Sequence, residues 1–218
     1  MKECKHTILY IHGMGGGADS RIPSVLNEYF SGQSETAVQV VCRTYSFDPE
    51  VAHEQIESWI EELGPDLIIG ESLGSFHALR IYDRPVLLVS PALNSHIHFS
   101  IMSWLTWIPG VSWYFARKFR PREGDRQPLH FTYPVMRRYA AHRREALANS
   151  PAAGSSDSFY AFFGRKDHYR KSGIVSVRTW KKHFGETFEW YDGTHFTEEE
   201  YIHSLVVPFI ENILNINE

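Results

Sequence analysis

The chain has 218 residues, enough for one globular domain or one domain with an insertion. Apolar residues make up 43% of it, which excludes wholesale disorder. A net charge of −4, with 12 histidines uncounted, neither demands nor excludes a nucleic-acid or membrane partner, and the two cysteines, Cys4 and Cys42, exclude a disulfide framework or a zinc knuckle.

The segment from Met1 to His12 lacks the apolar stretch of a secretory signal, so a cytoplasmic location is expected. Thr7–Ile11 (TILYI) reads as a buried strand ended by His12-Gly13. Ser20–Phe30 has helical spacing, with Asp19 or Ser20 as cap and Pro23 in the first turn. Ala37–Cys42 is a second strand. Pro49–Leu63 places Val51, Ile56, Trp59, Ile60 and Leu63 near one helical face and stops at Gly64-Pro65. Asp66–Gly70 (DLIIG) is a third strand, Ser72–Tyr82 a helix, and Pro85–Ser90 (PVLLVS) a fourth strand. A long segment of different composition, Asn94–Ser150, follows. Then come a strand at Ser158–Phe163, a helix at Lys171–Phe184, a strand at Thr187–Tyr191 and a closing helix at Thr197–Asn215.

Strands alternating with helices predict βαβ units and a mostly parallel sheet with helices on both faces. Ligands of such sheets sit beyond the C-terminal strand ends, and the chemically suggestive residues fall there. Gly70-Glu71-Ser72-Leu73-Gly74 fits G-x-S-x-G between a strand and a helix, the context in which a serine hydroxyl is held exposed on a strained turn. His12-Gly13-Met14-Gly15-Gly16-Gly17 follows the first strand. Its glycines let backbone approach a substrate, so Met14, with Gly15 as second choice, is expected to give one oxyanion N–H and Leu73 the other. The loop lacks the Lys-Ser/Thr ending of a P-loop and does not fit G-x-G-x-x-G in register, so a nucleotide is not expected as ligand. The expected partner is a small molecule and not a nucleic acid.

A serine nucleophile needs a base. Among the 12 histidines, His195 in Asp192-Gly193-Thr194-His195-Phe196 follows the last strand and reaches the same edge as Ser72. His12 is assigned to loop shape and His77 to packing. Asp167 follows the fifth strand and is the expected orienting acid, with Asp192 as the alternative. The chain order Ser72, Asp167, His195 is the nucleophile–acid–base order of α/β-hydrolases.

With H-G-M-G-G-G, G-E-S-L-G-S, G-R-K-D and G-T-H-F in this order, the sequence resembles the α/β-hydrolase superfamily, most of all its short bacterial esterase-like members. The resemblance implies an α/β-hydrolase fold and a triad of Ser72, Asp167 and His195 working through an acyl-serine. Two antiparallel strands common at the start of the family's sheet have no counterpart, so six strands in the order 2-1-3-4-5-6 are expected. The domain division expected is a core of residues 1–93 and 151–218 with a cap or lid at 94–150.

The 94–150 segment holds ten aromatics and nine basic residues against three acidic ones, a net charge of +6, whereas the remainder of the chain is −10. It is expected to be an apolar lid lining an acyl pocket, with Trp104, Trp107 and Trp113 as substrate contacts. Phe99–Ala116 is uncharged and precedes Arg117-Lys118-Phe119-Arg120, a pattern that also suits a membrane-surface element. The arginines Arg117, Arg120, Arg137 and Arg138 suggest an anionic or lipid-like substrate. His96-x-His98 alone is a poor metal motif. The activity expected is hydrolysis of a small carboxylic ester or thioester without metal or cofactor. The alternatives are amide or C–C bond hydrolysis by the same triad, and a catalytically silent binding protein on this fold.

Overall fold

The computed structural model describes residues 6–32, 38–120, 123–148 and 158–216. Cys4, Ala37 and Ser150 lie outside them. Six strands form one parallel sheet in the order β2-β1-β3-β4-β5-β6: β1 (His6–Ile11), β2 (Val38–Cys42), β3 (Leu67–Glu71), β4 (Val86–Val89), β5 (Phe159–Gly164) and β6 (Phe188–Tyr191). The chain steps from β1 out to β2 and returns past β1 to β3. The order therefore reverses between β1 and β3, the switch point at which such sheets bind ligands beyond their C-terminal strand ends.

Strand side chains alternate between faces. Leu9, Ile11, Ile68, Leu88, Ala161 and Phe163 face one buried cluster, and Ile8, Tyr10, Leu67, Ile69, Leu87 and Phe162 face the other. The second face is covered by α1 (Arg21–Ser31) and by the C-terminal helices α8 (Glu199–Tyr201) and α9 (Val207–Ile213). Residues of α2 (Pro49–Leu63), α3 (Ser75–Ala78), α4 (Ser95–Leu105), α6 (Tyr133–Ala148) and α7 (Val177–Phe184) pack on the first. A short α5 (Val111–Lys118) lies between α4 and α6. The insertion after β4 thus contributes Phe99, Phe131, Met136 and Tyr139 to the same core as the sheet.

Three helices differ from the sequence expectation. After the Ser72 turn only Ser75–Ala78 is α-helical, because the amides of Arg80 and Ile81 reach back three residues, to His77 and Ala78, instead of four. The helix expected from Lys171 starts at Val177. The carbonyls of Gly173 and Ile174, which a helix would use, instead accept from Asn94 Nδ2 and Asn94 N at 3.0 and 3.1 Å. The closing helix is interrupted by a π turn at Ile202–Val206, just before Pro208, whose ring offers no N–H to the preceding turn.

Helices α6 and α3 meet in this layer through a buried imidazole pair, His142 and His77. Arg80 donates to His142 Nδ1 at 2.9 Å, so the His142 proton sits on Nε2 and is donated to His77 Nδ1 at 2.9 Å. Both rings are neutral: burial lowers His77 well below the usual histidine range and His142 to about 3, with Arg80 and the neighbouring imidazoles adding to it. In the unfolded chain these histidines protonate below about pH 6.5. The unfolded state then binds more protons than the folded one, so stability falls as pH drops from 6.5 toward the folded values. The expected loss is about 2 kcal/mol per imidazole at pH 5 relative to pH 7. Chemical denaturation at the two pH values, repeated on His142→Gln, checks this: the wild type should lose more stability than the variant.

Candidate active site

Strand β3 delivers the chain into a sharp turn at Ser72, whose φ of 50° lies in the left-handed region that a serine occupies only when its surroundings hold it there. The flanking glycines explain how the turn fits. A Cβ on Gly70 would lie 2.7 Å from Ala78 Cβ, and one on Gly74 would lie 2.4 Å from the Ile11 carbonyl. The turn is thus pressed against the end of β1. Ala92 N–H donates to the Ser72 carbonyl at 3.1 Å, fixing it from the β4 side. Glu71, the residue before the serine, accepts from the buried Tyr10 hydroxyl at 2.6 Å, a second tie to β1.

His195 lies in the loop after β6. Its Nε2 is 2.8 Å from Ser72 Oγ and its Nδ1 is 2.7 Å from Asp167 Oδ2. The imidazole and the carboxylate are both buried, at 2% and 3% exposure, so each is the other's compensation for lost water. The other carboxylate oxygen accepts from Tyr169 N–H at 2.8 Å. The two loops are joined by backbone bonds: Arg165 N–H donates to the Tyr191 carbonyl at 2.8 Å and Lys166 N–H to Gly193 at 2.9 Å. Asp192, the alternative acid, is instead an exposed partner of Lys166, 2.9 Å away.

The glycine loop after β1 stands beside this chain of groups. Gly13 is close enough that an added Cβ would lie 3.1 Å from Ser72 Cβ. The amides of Gly15, Gly16 and Gly17 are committed to Gln127 Oε1, the Gly13 carbonyl and Ser20 Oγ. Met14 N–H has no protein acceptor among the described residues, which favours Met14 over Gly15 as an oxyanion donor. Leu73 is the second residue of the short helical turn Ser72–Gly74, in the first turn where N–H groups lack partners from within the helix. His12 turns away from Ser72: it stacks on Tyr45 at 4.2 Å, its Nδ1 is 2.8 Å from the Gly13 carbonyl, and burial lowers it to about 4. Cys42, half-buried, donates to the Gly17 carbonyl, and burial pushes its thiol up to about 12, well removed from a reactive thiolate.

Two residues at the site escaped the sequence reading. Gln127 braces the glycine loop from the insertion through Gly15, and its own amides reach Gly16 O and Ser46 O. Tyr169 packs edge-on against His195 at 4.6 Å. Its place two residues after Asp167 could have drawn notice, but Gln127 sits in a loop with no motif. Trp104, Trp107 and Trp113 are 61%, 70% and 66% exposed. Trp104 and Trp107 pack on Tyr133, and Trp113 lies under Arg117; none makes a ring contact with His195. Arg138 pairs with Asp48 and Glu50 and is not a free cation. Among the described residues no group of three or more His, Cys, Asp or Glu could hold a metal ion.

Six parallel strands in this order, with a serine on the turn after β3 and an acid and a histidine after the last two strands, define an α/β hydrolase architecture. The chain has the α/β-hydrolase fold. A model of the uncharacterised protein family UPF0227 matches residues 7–102, which include Ser72 but neither Asp167 nor His195. No curated protein sequence matches the chain. Among solved structures, one from work on LipS and LipT, two metagenome-derived lipolytic enzymes, is 14% identical with a TM-score of 0.62, covering 96% of this chain and 94% of that one. The α/β hydrolase domain-containing protein 10 from mouse is 14% identical with a TM-score of 0.63, covering 100% and 93%. Est1E from Butyrivibrio proteoclasticus, with ferulic acid bound, is 14% identical with a TM-score of 0.58, covering 97% and 90%.

The tight approach at Gly74 makes a stability prediction. Gly74→Ala forces a methyl against the Ile11 and His12 carbonyls, which are backbone and cannot swing aside. Overpacking of this kind costs about 1–3 kcal/mol, and denaturant midpoints of the variant should fall accordingly. An unchanged midpoint would mean the turn is looser than described.

Proposed function

We propose that the protein is a serine hydrolase that cleaves a carboxylic ester or thioester through an acyl-Ser72 intermediate. The observation that carries this is the continuous hydrogen-bonded chain from Ser72 Oγ through His195 to Asp167 at the sheet's C-terminal edge. The lipolytic activity named in the work on LipS and LipT is consistent with it.

In the first half-reaction Ser72 Oγ attacks the substrate carbonyl carbon while its proton passes to His195 Nε2. The carbonyl oxygen becomes an oxyanion facing the Met14 and Leu73 amides. Asp167 stabilises the imidazolium and keeps the ring oriented. As the tetrahedral adduct collapses, the imidazolium gives its proton to the leaving alkoxide or thiolate, which departs as the alcohol or thiol. Water then attacks the acyl-enzyme, giving a proton to His195, and the second collapse frees the carboxylic acid and returns the proton to Ser72. No metal or organic cofactor takes part in these steps.

A panel of p-nitrophenyl esters of rising chain length, run beside thioesters and an anilide, tests the reading and sets the substrate class. Ser72→Ala should lower kcat on the order of 10⁴-fold or more, and Asp167→Asn by a comparable factor, without loss of the folded state. Turnover that survives Ser72→Ala would assign the chemistry elsewhere. Gln127→Ala, which releases the glycine loop without touching the triad, should lower kcat about 100-fold with a smaller change in KM.

A further inference from the structure

We propose that the α4–α5 segment, residues 95–118, is a docking surface for an anionic lipid bilayer. The observation is an inverted helix. On α4, positions 95, 99 and 103 point inward and are Ser95, Phe99 and Ser103, all buried. The opposite face carries Ile97, Ile101, Trp104 and Leu105, spaced for one helical side and 43–61% exposed. Two of the three inward positions are serines while four large apolar side chains face outward, the reverse of what water selects. Among the described residues, eight of the twelve large exposed apolar side chains lie between Ile97 and Tyr114. They include Trp107 in the turn and Trp113 on α5, a helix with no buried residue. Concentration of this kind marks an interaction site and not the scattered exposure of an ordinary surface.

Charge selects the occupant. From Val86 to Arg120 the sequence has no Asp or Glu, while Arg117, Lys118 and Arg120 stand at the C-terminal end of the segment. Arg117 lies over the Trp113 ring at 5.5 Å and Lys118 over Tyr114 at 5.8 Å, so cations and interfacial aromatics share one edge. A second copy docked through the same segment would bring these cations against a stretch with no carboxylate of its own to receive them. Anionic headgroups supply the missing charge, and Trp is at home where apolar and polar media meet. No helix among the described residues is long and apolar enough to cross a membrane. Helix α4, at 11 residues, spans roughly 16 Å, about half the hydrocarbon thickness, and so lies along the surface.

Vesicle sedimentation tests this apart from catalysis, since it is run on both the wild type and Ser72→Ala. With vesicles of phosphatidylcholine containing about one-third phosphatidylglycerol, both proteins should pellet at low salt, with a blue shift of tryptophan emission. Pure phosphatidylcholine should retain far less, and raising salt to about 0.5 M should release the protein. The combined variant Arg117→Gln, Lys118→Gln, Arg120→Gln should lose on the order of 100-fold in partitioning. Trp104→Ser with Trp107→Ser should weaken it too, with melting temperatures unchanged because these residues are exposed. Wild-type protein left in the supernatant at low salt, or pelleting indifferent to lipid charge, overturns the proposal. A dimer in sedimentation equilibrium that the tryptophan substitutions dissociate would assign the patch to a second copy instead.

Discussion

An imidazole is useful between a hydroxyl and a carboxylate only if it is held at both nitrogens at once, and the Ser72–His195–Asp167 line imposes that requirement on the fold. The carboxylate is buried, and a buried charge without its partner would cost several kcal/mol. The loops after β5 and β6 must therefore move as one. Neighbouring parallel strands with a fixed register supply this, because the strand ends they present stand side by side and the Arg165 and Lys166 amides lock one loop to the other.

Ser72 makes a comparable demand on the other side of the sheet's centre. Its positive φ persists because Gly70 and Gly74 let the turn sink against β1 and α3, while Ala92 holds the Ser72 carbonyl and Tyr10 ties down Glu71. The insertion belongs to the same system. Gln127 braces the glycine loop, and α6 seals the helical layer behind the serine turn with the neutral His77–His142 pair. A segment whose composition suggests a separate cap is thus also part of the core that sets the site.

Much of this was legible before any coordinates. Runs such as LIIG and VLLV, apolar at every position, mark strands buried on both faces, and their boundaries fell within about a residue of expectation. Ser72, Asp167 and His195, whose side chains the structure brings within hydrogen-bond distance, were singled out because each lies just past an expected strand. The sheet order followed from the motifs' resemblance to a known fold, not from spacing. Helix ends were harder to read. The start of α7 depends on Asn94, which takes the carbonyls of a segment some 80 residues away. Gln127 and the His77–His142 contact are likewise long-range pairings with no local periodicity. The three tryptophans illustrate a different limit: composition shows that a segment is rich in aromatics, but not which way each ring faces.

The central claim is that Ser72 is the nucleophile. Intact-mass and peptide analysis after treatment with a fluorophosphonate tests it most directly. The account predicts one adduct per chain, on the peptide containing Ser72, that disappears in Ser72→Ala and slows sharply in His195→Ala. An unmodified native protein, or an adduct mapping to another residue, would contradict it.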